Sequence, residues 1–363
     1  MIDFRYHVVS IVAIFLALTV GLVIGASILS KSVADSLRND LAQRNDQIKS
    51  QQNDINELKT QIDQQNKYIT DTADQLVVGR LSGQCVAMVE IAGADSNAYS
   101  GVRTMVQKQS GATICSETTI NASLTASGSQ QTLVTLIQEH TPSGQKLSGT
   151  IAQQAVELIG EALTTYQTVG AVAQTANPSA TATPKASGSA KASGSPAPTS
   201  SASAGATAST GASGGTMTAG QSLGTLKDFQ TAGVITMQTQ PAAGQQASLA
   251  YVQAPSSANT DTGADAVNQA YITLAESLRK GGAGTMVGGS GQSADKGGLV
   301  YAVINDSVAT REISTVDNTD VTMGQVASVF CLLTASQGTS TVAGHYGTGA
   351  SNDGPVPPIA TLG

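Results

Sequence analysis

No charged side chain occurs between Val8 and Leu29, and directly after this run an apolar residue returns every seventh position, at Leu41, Ile48, Ile55, Ile62, Ile69 and Leu76. The first stretch, about 22 residues, is long enough to cross a ~30 Å hydrocarbon core as a helix. The second has the heptad period of a coiled-coil seam. Joined, they predict a transmembrane anchor over 1–30 and a coiled-coil stalk over 31–79, an arrangement at odds with a freely diffusing enzyme. A cleaved signal peptide competes with the anchor, because Gly25-Ala26-Ser27 offers a small-residue cleavage site. Secretory apolar cores run only ~7–15 residues, so length favours an uncleaved signal anchor. Charge does not fix the topology: Arg5 stands on one side, and Lys31, Arg38 and Arg44, diluted by Asp35 and Asp40, on the other.

The seam is only half strong. With Leu41 and its heptad equivalents at a, the d positions are Leu37, Arg44, Gln51, Leu58, Gln65 and Thr72, so most d layers are polar. Ile at a with Leu at d favours a parallel dimer, whereas polar d layers weaken it. A seam of Leu41, Ile48, Ile55, Leu58, Ile62, Ile69 and Leu76 therefore fits a parallel homodimer or a helix left partly open for a helix of another envelope protein. The remaining alternative is a single helix packed on its own domain. From Val33 to Val78 such a helix spans roughly 70 Å at 1.5 Å per residue, longer than the edge of a domain of this size.

The chain has 363 residues, 12% of them charged, a net charge of −7 and 38 Gly, which makes nucleic acid a poor partner. Its three cysteines, Cys85, Cys115 and Cys331, show no CxxC and no scaffold spacing. Cys85 and Cys115 fall on two predicted strands and Cys331 in an apolar helical run. Buried structural thiols are the expected state, against a Cys85–Cys115 bridge that an oxidising compartment would permit.

Residues 177–220 are almost wholly Ala, Ser, Thr, Gly and Pro, with Lys185 and Lys191 the only charges. Such a segment buries too little surface to offset its ordering entropy, so a disordered insert is predicted, either O-glycosylated or an unmodified spacer. On both sides the pattern alternates between strand and helix. Cys85–Ile91, a turn at Gly93–Ser96, a helical stretch with Val102, Met105 and Val106, then Gly111 and Ala112–Cys115 read as a βαβ unit. Helices follow at 132–139 and 151–169. Beyond the insert come helix 223–231, strands 234–238 and 248–254, helix 264–280, strand 285–287, helix 296–304, strand 313–316 and helix 322–336. The prediction is an α/β fold with about six strands in one doubly wound, mostly parallel sheet, built from residues 80–176 and 221–340 and followed by a Gly-rich tail over 341–363.

Near the carboxyl end stand Ser314-Thr315-Val316-Asp317-Asn318, Gly324-Gln325-Val326-Ala327 and Gly344-His345-Tyr346-Gly347-Thr348-Gly349-Ala350. With Arg5 and His7 before the apolar helix and Gly79-Arg80-Leu81 opening the first strand, this pattern resembles the actinobacterial MctB copper-transporter family over nearly the whole chain except the insert. The resemblance implies copper efflux or homeostasis at the cell membrane, with the bulk of the chain extracytoplasmic. It also implies, for some relatives, a link to cell division through a peptidoglycan hydrolase partner. The residues themselves show no cofactor or copper site. Copper(I) favours clustered Cys and Met, copper(II) favours His, yet His7, His140 and His345 are far apart and Met88, Met105, Met237, Met286 and Met323 are scattered. One apolar helix has no lumen, and 3% aromatic content is poor in the girdles of a membrane barrel.

Ligands of open α/β sheets bind beyond the carboxyl ends of strands. That rule points to Asp317 and Asn318, with His345, Tyr346, Gly347 and Gly349 facing them, as a candidate ligand face. Asp and Asn after a strand also commonly cap the next turn, and glycines also serve close packing. No Walker loop, Rossmann spacing or nucleophile–base pair can be assembled, so an enzyme is not expected. Three functions stay open: copper homeostasis, a coiled-coil interaction protein in cell-wall remodelling, and a ligand sensor signalling through the stalk.

Overall fold

A computed structural model describes residues 4–164, 217–241, 247–259, 261–337, 343–349 and 352–358. It divides into two units, Met1–Tyr68 and Ile69–Gly363. Most of the predicted insert lies outside the described residues, as does the end of the helix expected to reach residue 169.

In the first unit the chain is part of one unbroken helix, α1 (Phe4–Val77). Residues Arg5–Gly25 are long and apolar enough to cross a membrane. The hydroxyl of Thr19 within this stretch donates to the Phe15 and Leu16 carbonyls at 3.0 and 2.9 Å, which removes the need for a water partner. Farther along, Ile55 and Ile62 are 45% and 53% exposed, and Leu41, Ile48 and Leu58 are exposed as well.

The second unit begins with the last turns of α1, where Ala73 and Val77, one turn apart, enter the core and leave Leu76 39% exposed. Ile69 and Thr72, also heptad positions of the predicted stalk, are half-buried beside them, so these last turns of α1 are counted with the second unit.

Among the described residues seven strands form the sheet, against an expectation of about six. They are β1 (Cys85–Ile91), β2 (Thr113–Ile120), β3 (Ile235–Thr239), β4 (Leu249–Gln253), β5 (Gly284–Gly288), β6 (Ser314–Val316) and β7 (His345–Tyr346), in the order β3-β2-β1-β4-β5-β6-β7. Only β3 runs antiparallel to its neighbour. The extra strand is β7, so the Gly-rich tail supplies a sheet edge. Strands from both sides of the insert join one sheet, as the doubly wound reading requires.

Alternation along the central strands separates two cores. Ala87, Val89 and Ile91 of β1 and Ala250 and Val252 of β4 face one cluster, which includes Leu133 of α3 (Gln130–His140), Leu158 of α4 (Ile151–Thr164), Phe229 of α5 (Ala219–Thr231), Leu274 of α6 (Ala264–Lys280) and Val303 of α7 (Leu299–Asn305). Val86, Met88, Leu249 and Tyr251 face the other, with Val102 of α2 (Ser96–Thr104), Phe330 of α9 (Thr322–Ser336) and the end of α1. Covered on both sides, β1 reads as a continuous apolar run. A short helix, α8 (Ala309–Glu312), leads into β6.

One expectation is corrected. Cys85 and Cys115 are not free thiols but a disulfide, with Cα atoms 5.6 Å apart. Sequence spacing hides this because a bulge sets it: Val86 pairs with Ile114 and Ala87 with Ser116, which leaves Cys115 as the extra residue. Cys331 is a buried free thiol, as expected. The described residues resume at Met217, within the predicted insert. Met217 is buried and Thr218 caps α5 in a reciprocal pair with Gln221, so residues 217–220 belong to the fold.

Candidate functional site

The sheet order reverses between β1 and β4, the position where doubly wound sheets ordinarily open a ligand crevice. Here the two loops are bonded together. Ala94 bridges Pro255, and the Gly93 carbonyl accepts from the Ser256 backbone N–H at 2.9 Å and from its hydroxyl at 3.0 Å. Ser290 adds a hydroxyl donated to the Ser256 carbonyl at 2.7 Å.

Asp317 and Asn318 follow β6 as the sequence predicted, and the tail comes back to them through β7. The Asp317 carboxylate is buried and accepts the backbone N–H groups of Thr348 at 2.6 Å and Gly349 at 2.8 Å. Its own N–H donates to the Tyr346 carbonyl at 3.0 Å. Gly347 has φ +134°, and a Cβ there would run into the Asp317 carboxylate, so this turn requires glycine. Asp317, Tyr346, Gly347 and Gly349 thus meet as a latch that fastens the tail to the sheet, with the carboxylate already engaged.

Asn318 is 4% exposed, and neither its amide oxygen nor its nitrogen has a hydrogen-bond partner. It lies against Gly324 of α9, which has room for it only because it lacks a side chain. Beside it, the Tyr251 hydroxyl donates to Gln253 Oε1, the Gln253 amide reaches Thr319 Oγ1 at 3.3 Å, and Thr319 holds the Gly289 carbonyl through its N–H at 2.9 Å. Burial pushes the Tyr251 phenol well up, which keeps it a donor.

His345 and Tyr346 are successive residues of a strand and so point to opposite faces. Tyr346 packs on the core that holds Phe330. His345 turns toward α8: Nε2 lies 3.0 Å from the Thr310 carbonyl and Nδ1 2.9 Å from Thr315 Oγ1. One tautomer satisfies both, with Nε2–H donating to the carbonyl and Nδ1 accepting from the hydroxyl. Desolvation lowers the His345 pKa, opposed by the Thr310 bond and the Asp353 charge, so the ring is held neutral with both nitrogens in use.

A polar cluster that sequence reading missed lies on the α2 face of β1 and β2. Glu117 is buried and its Oε1 accepts from Arg103 Nε at 2.8 Å and from the Tyr99 hydroxyl at 3.2 Å. Burial and the Glu117 charge raise the Tyr99 pKa. Desolvation raises Glu90, with the Thr119 hydroxyl partly offsetting it and Glu117 adding to it. A charged residue at an inward strand position with a basic residue on the covering helix was the available signal. At the opposite end of the sheet from β7, a groove of about 700 Å³ between α5 and β3 is lined by Leu226, Lys227, Gln230, Met237 and Pro241 among others.

Residues 1–357 match the family model described as copper transport outer membrane protein, MctB. The chain belongs to the MctB family. Proteins named copper transporter MctB from Mycobacterium bovis and Mycobacterium tuberculosis are each 24% identical to it over 352 residues, covering 96% of this chain and 97% of the relative. Membership makes copper the metal to test against these residues. Among the described residues no group of three or more His, Cys, Asp or Glu is positioned to hold an ion. Both His345 nitrogens are engaged. The ring of His140 contacts Thr225 through Nδ1 at 3.1 Å, and its Nε2 lies 3.1 Å from Asp228 Oδ2, within ion-pair distance but not aligned for a hydrogen bond. Met88, Met105 and Met286 are core residues. Among the described residues the sulfurs of Cys85 and Cys115 stand together, joined as a disulfide. The sheet is open, with β3 and β7 as edges among the described residues.

Proposed function

We propose that this chain is a single-pass, membrane-anchored protein of the cell envelope that acts in copper efflux or homeostasis, with its head on the extracytoplasmic side and without enzymatic chemistry of its own. The observation that carries this reading is the family match, which spans anchor and head together. The Cys85–Cys115 disulfide supports the side assignment, since structural disulfides persist in oxidising compartments. One apolar helix and an open sheet enclose no lumen, so passage of copper would require several copies or a partner. The test is a strain lacking the protein, assayed for cell-associated copper and for growth in raised copper. Accumulation and sensitivity, both reversed by the full chain, are expected; unchanged copper content would overturn the reading.

A second reading rests on the exposed apolar residues Leu41, Ile48, Ile55, Leu58 and Ile62. In it α1 is a recognition helix that pairs with a second copy or with an envelope protein such as a peptidoglycan hydrolase, and the head serves cell-wall remodelling. Capture of such a hydrolase by the full chain, with copper content normal in the deletion strain, would move the assignment here.

A further inference from the structure

We propose that Cys85 and Cys115 in their reduced form are a two-coordinate copper(I) site, of which the disulfide is the closed state. The proposal rests on the copper role above and supplies it with ligands. Thiolates are the protein donors that best select copper(I), and this ion is satisfied by two of them, so a larger cluster is not needed.

The pair is built by the backbone. The bulge in β2 brings Cys115 beside Cys85 with Cα atoms 5.6 Å apart. Other bonds hold the surrounding strand ends independently of the sulfur bridge. Ser248 donates its N–H to the Cys85 carbonyl at 2.8 Å, Cys85 donates its N–H to Ser248 Oγ at 3.2 Å, and Thr113 donates to the Gln84 carbonyl at 2.9 Å. Opening the disulfide therefore leaves two sulfurs facing each other on a fixed frame. The Thr113 carbonyl, 3.9 Å from Cys115 Sγ, is placed to accept a hydrogen bond from the thiol of the reduced form.

Access is asymmetric. Cys115 is buried, whereas Cys85 is only partly so, and an attacking thiolate or a copper donor can reach the pair from that side. Cys331 is excluded: it is fully buried among apolar residues, and burial pushes its thiol far up, away from the thiolate a metal needs. The chemistry balances. A dithiol reductant gives two electrons and two protons to the disulfide and becomes a disulfide itself. The two thiols formed then release both protons as copper(I) binds between the sulfurs.

The experiment uses the full chain in detergent, treated with a dithiol that is then removed, and titrated anaerobically with copper(I) against a chromogenic chelator. About one equivalent should bind to the reduced chain with sulfur-only coordination in its X-ray absorption spectrum, and none to the oxidised chain. Cys85→Ser and Cys115→Ser should each lose that equivalent, and Cys331→Ser should keep it. Equal binding before and after reduction, retention in Cys85→Ser, no binding to the reduced chain, or loss of its folded circular dichroism spectrum would each overturn the proposal. Should the site fail while the deletion strain still accumulates copper, the copper role stands and only its ligands are lost; normal copper content with the site intact would sink the role alone.

Discussion

Met217 donates its backbone N–H to Glu161 Oε1 at 2.9 Å, one turn before α4 ends at Thr164. The first described residue beyond 164 therefore stands beside the last turn of α4. The other oxygen of Glu161 accepts from Gln145 at 2.9 Å, which fixes the carboxylate in place.

Replacing residues 165–216 with a short Gly/Ser linker is expected to leave the head folded. Loop-closure entropy changes by about 0.6 kcal/mol per doubling of length, so a loop shortened by a few doublings should gain about 1–2 kcal/mol. Thermal unfolding of the two proteins decides it. A melting temperature that falls would mean the removed residues make contacts of their own. Glu161→Ala, by contrast, should cost about 1–3 kcal/mol in either background by orphaning the Met217 N–H.

Asp317→Ala removes both acceptors of the tail latch and leaves the Thr348 and Gly349 N–H groups unpaired. The expected loss is about 3 kcal/mol in denaturant unfolding, with faster proteolysis confined to residues beyond 337. Uniform proteolysis throughout the head would show that the latch holds more than the tail.

Since the folded head holds His345 below its ordinary pKa of 6.5, the neutral ring is the stabilised form. Its contribution is complete above pH 6.5 and shrinks as pH falls below that value, where the unfolded chain takes up a proton before the folded one does. Stability should thus decline from neutral toward acidic pH, and His345→Gln should flatten that part of the profile. A slope unchanged in the variant would assign the acid loss to other groups.

Substituting Asp for both Ile55 and Ile62 should abolish helix pairing, read by cross-linking of the full chain in membranes, while the melting temperature of the head stays within a few degrees. Undiminished cross-linking would remove the seam from any account of assembly.

Much of the fold was legible because burial on both faces writes itself into composition. Cys85–Ile91 is a run that only a central strand explains, helix Ala264–Lys280 is marked by one apolar face, and helix Thr322–Ser336 by an almost continuous apolar run. Glu117, Thr118 and Thr119 look like surface residues, so the sequence supports β2 only as far as Cys115. In the fold Arg103 pairs with Glu117 and the Tyr99 hydroxyl donates to it, so that this carboxylate is held inside the sheet. A two-residue strand such as His345–Tyr346 carries no period at all, and its pairing with β6 depends on the Asp317 latch far away in sequence. The same holds for the disulfide, whose geometry depends on a bulge that spacing does not reveal. The strand end before Asp317 is legible in the apolar run, but which atoms occupy the carboxylate is a tertiary fact.

The bonds that join Ser256 to Gly93 act as a toll on any nucleotide or flavin that would seek the place such molecules take in sheets of this topology. Breaking two of them at about 1 kcal/mol each weakens a visitor roughly 30-fold before it makes a contact. The switch point of this head is stitched shut by its own backbone, and a visitor must part the Gly93–Ser256 seam before it finds a crevice at all.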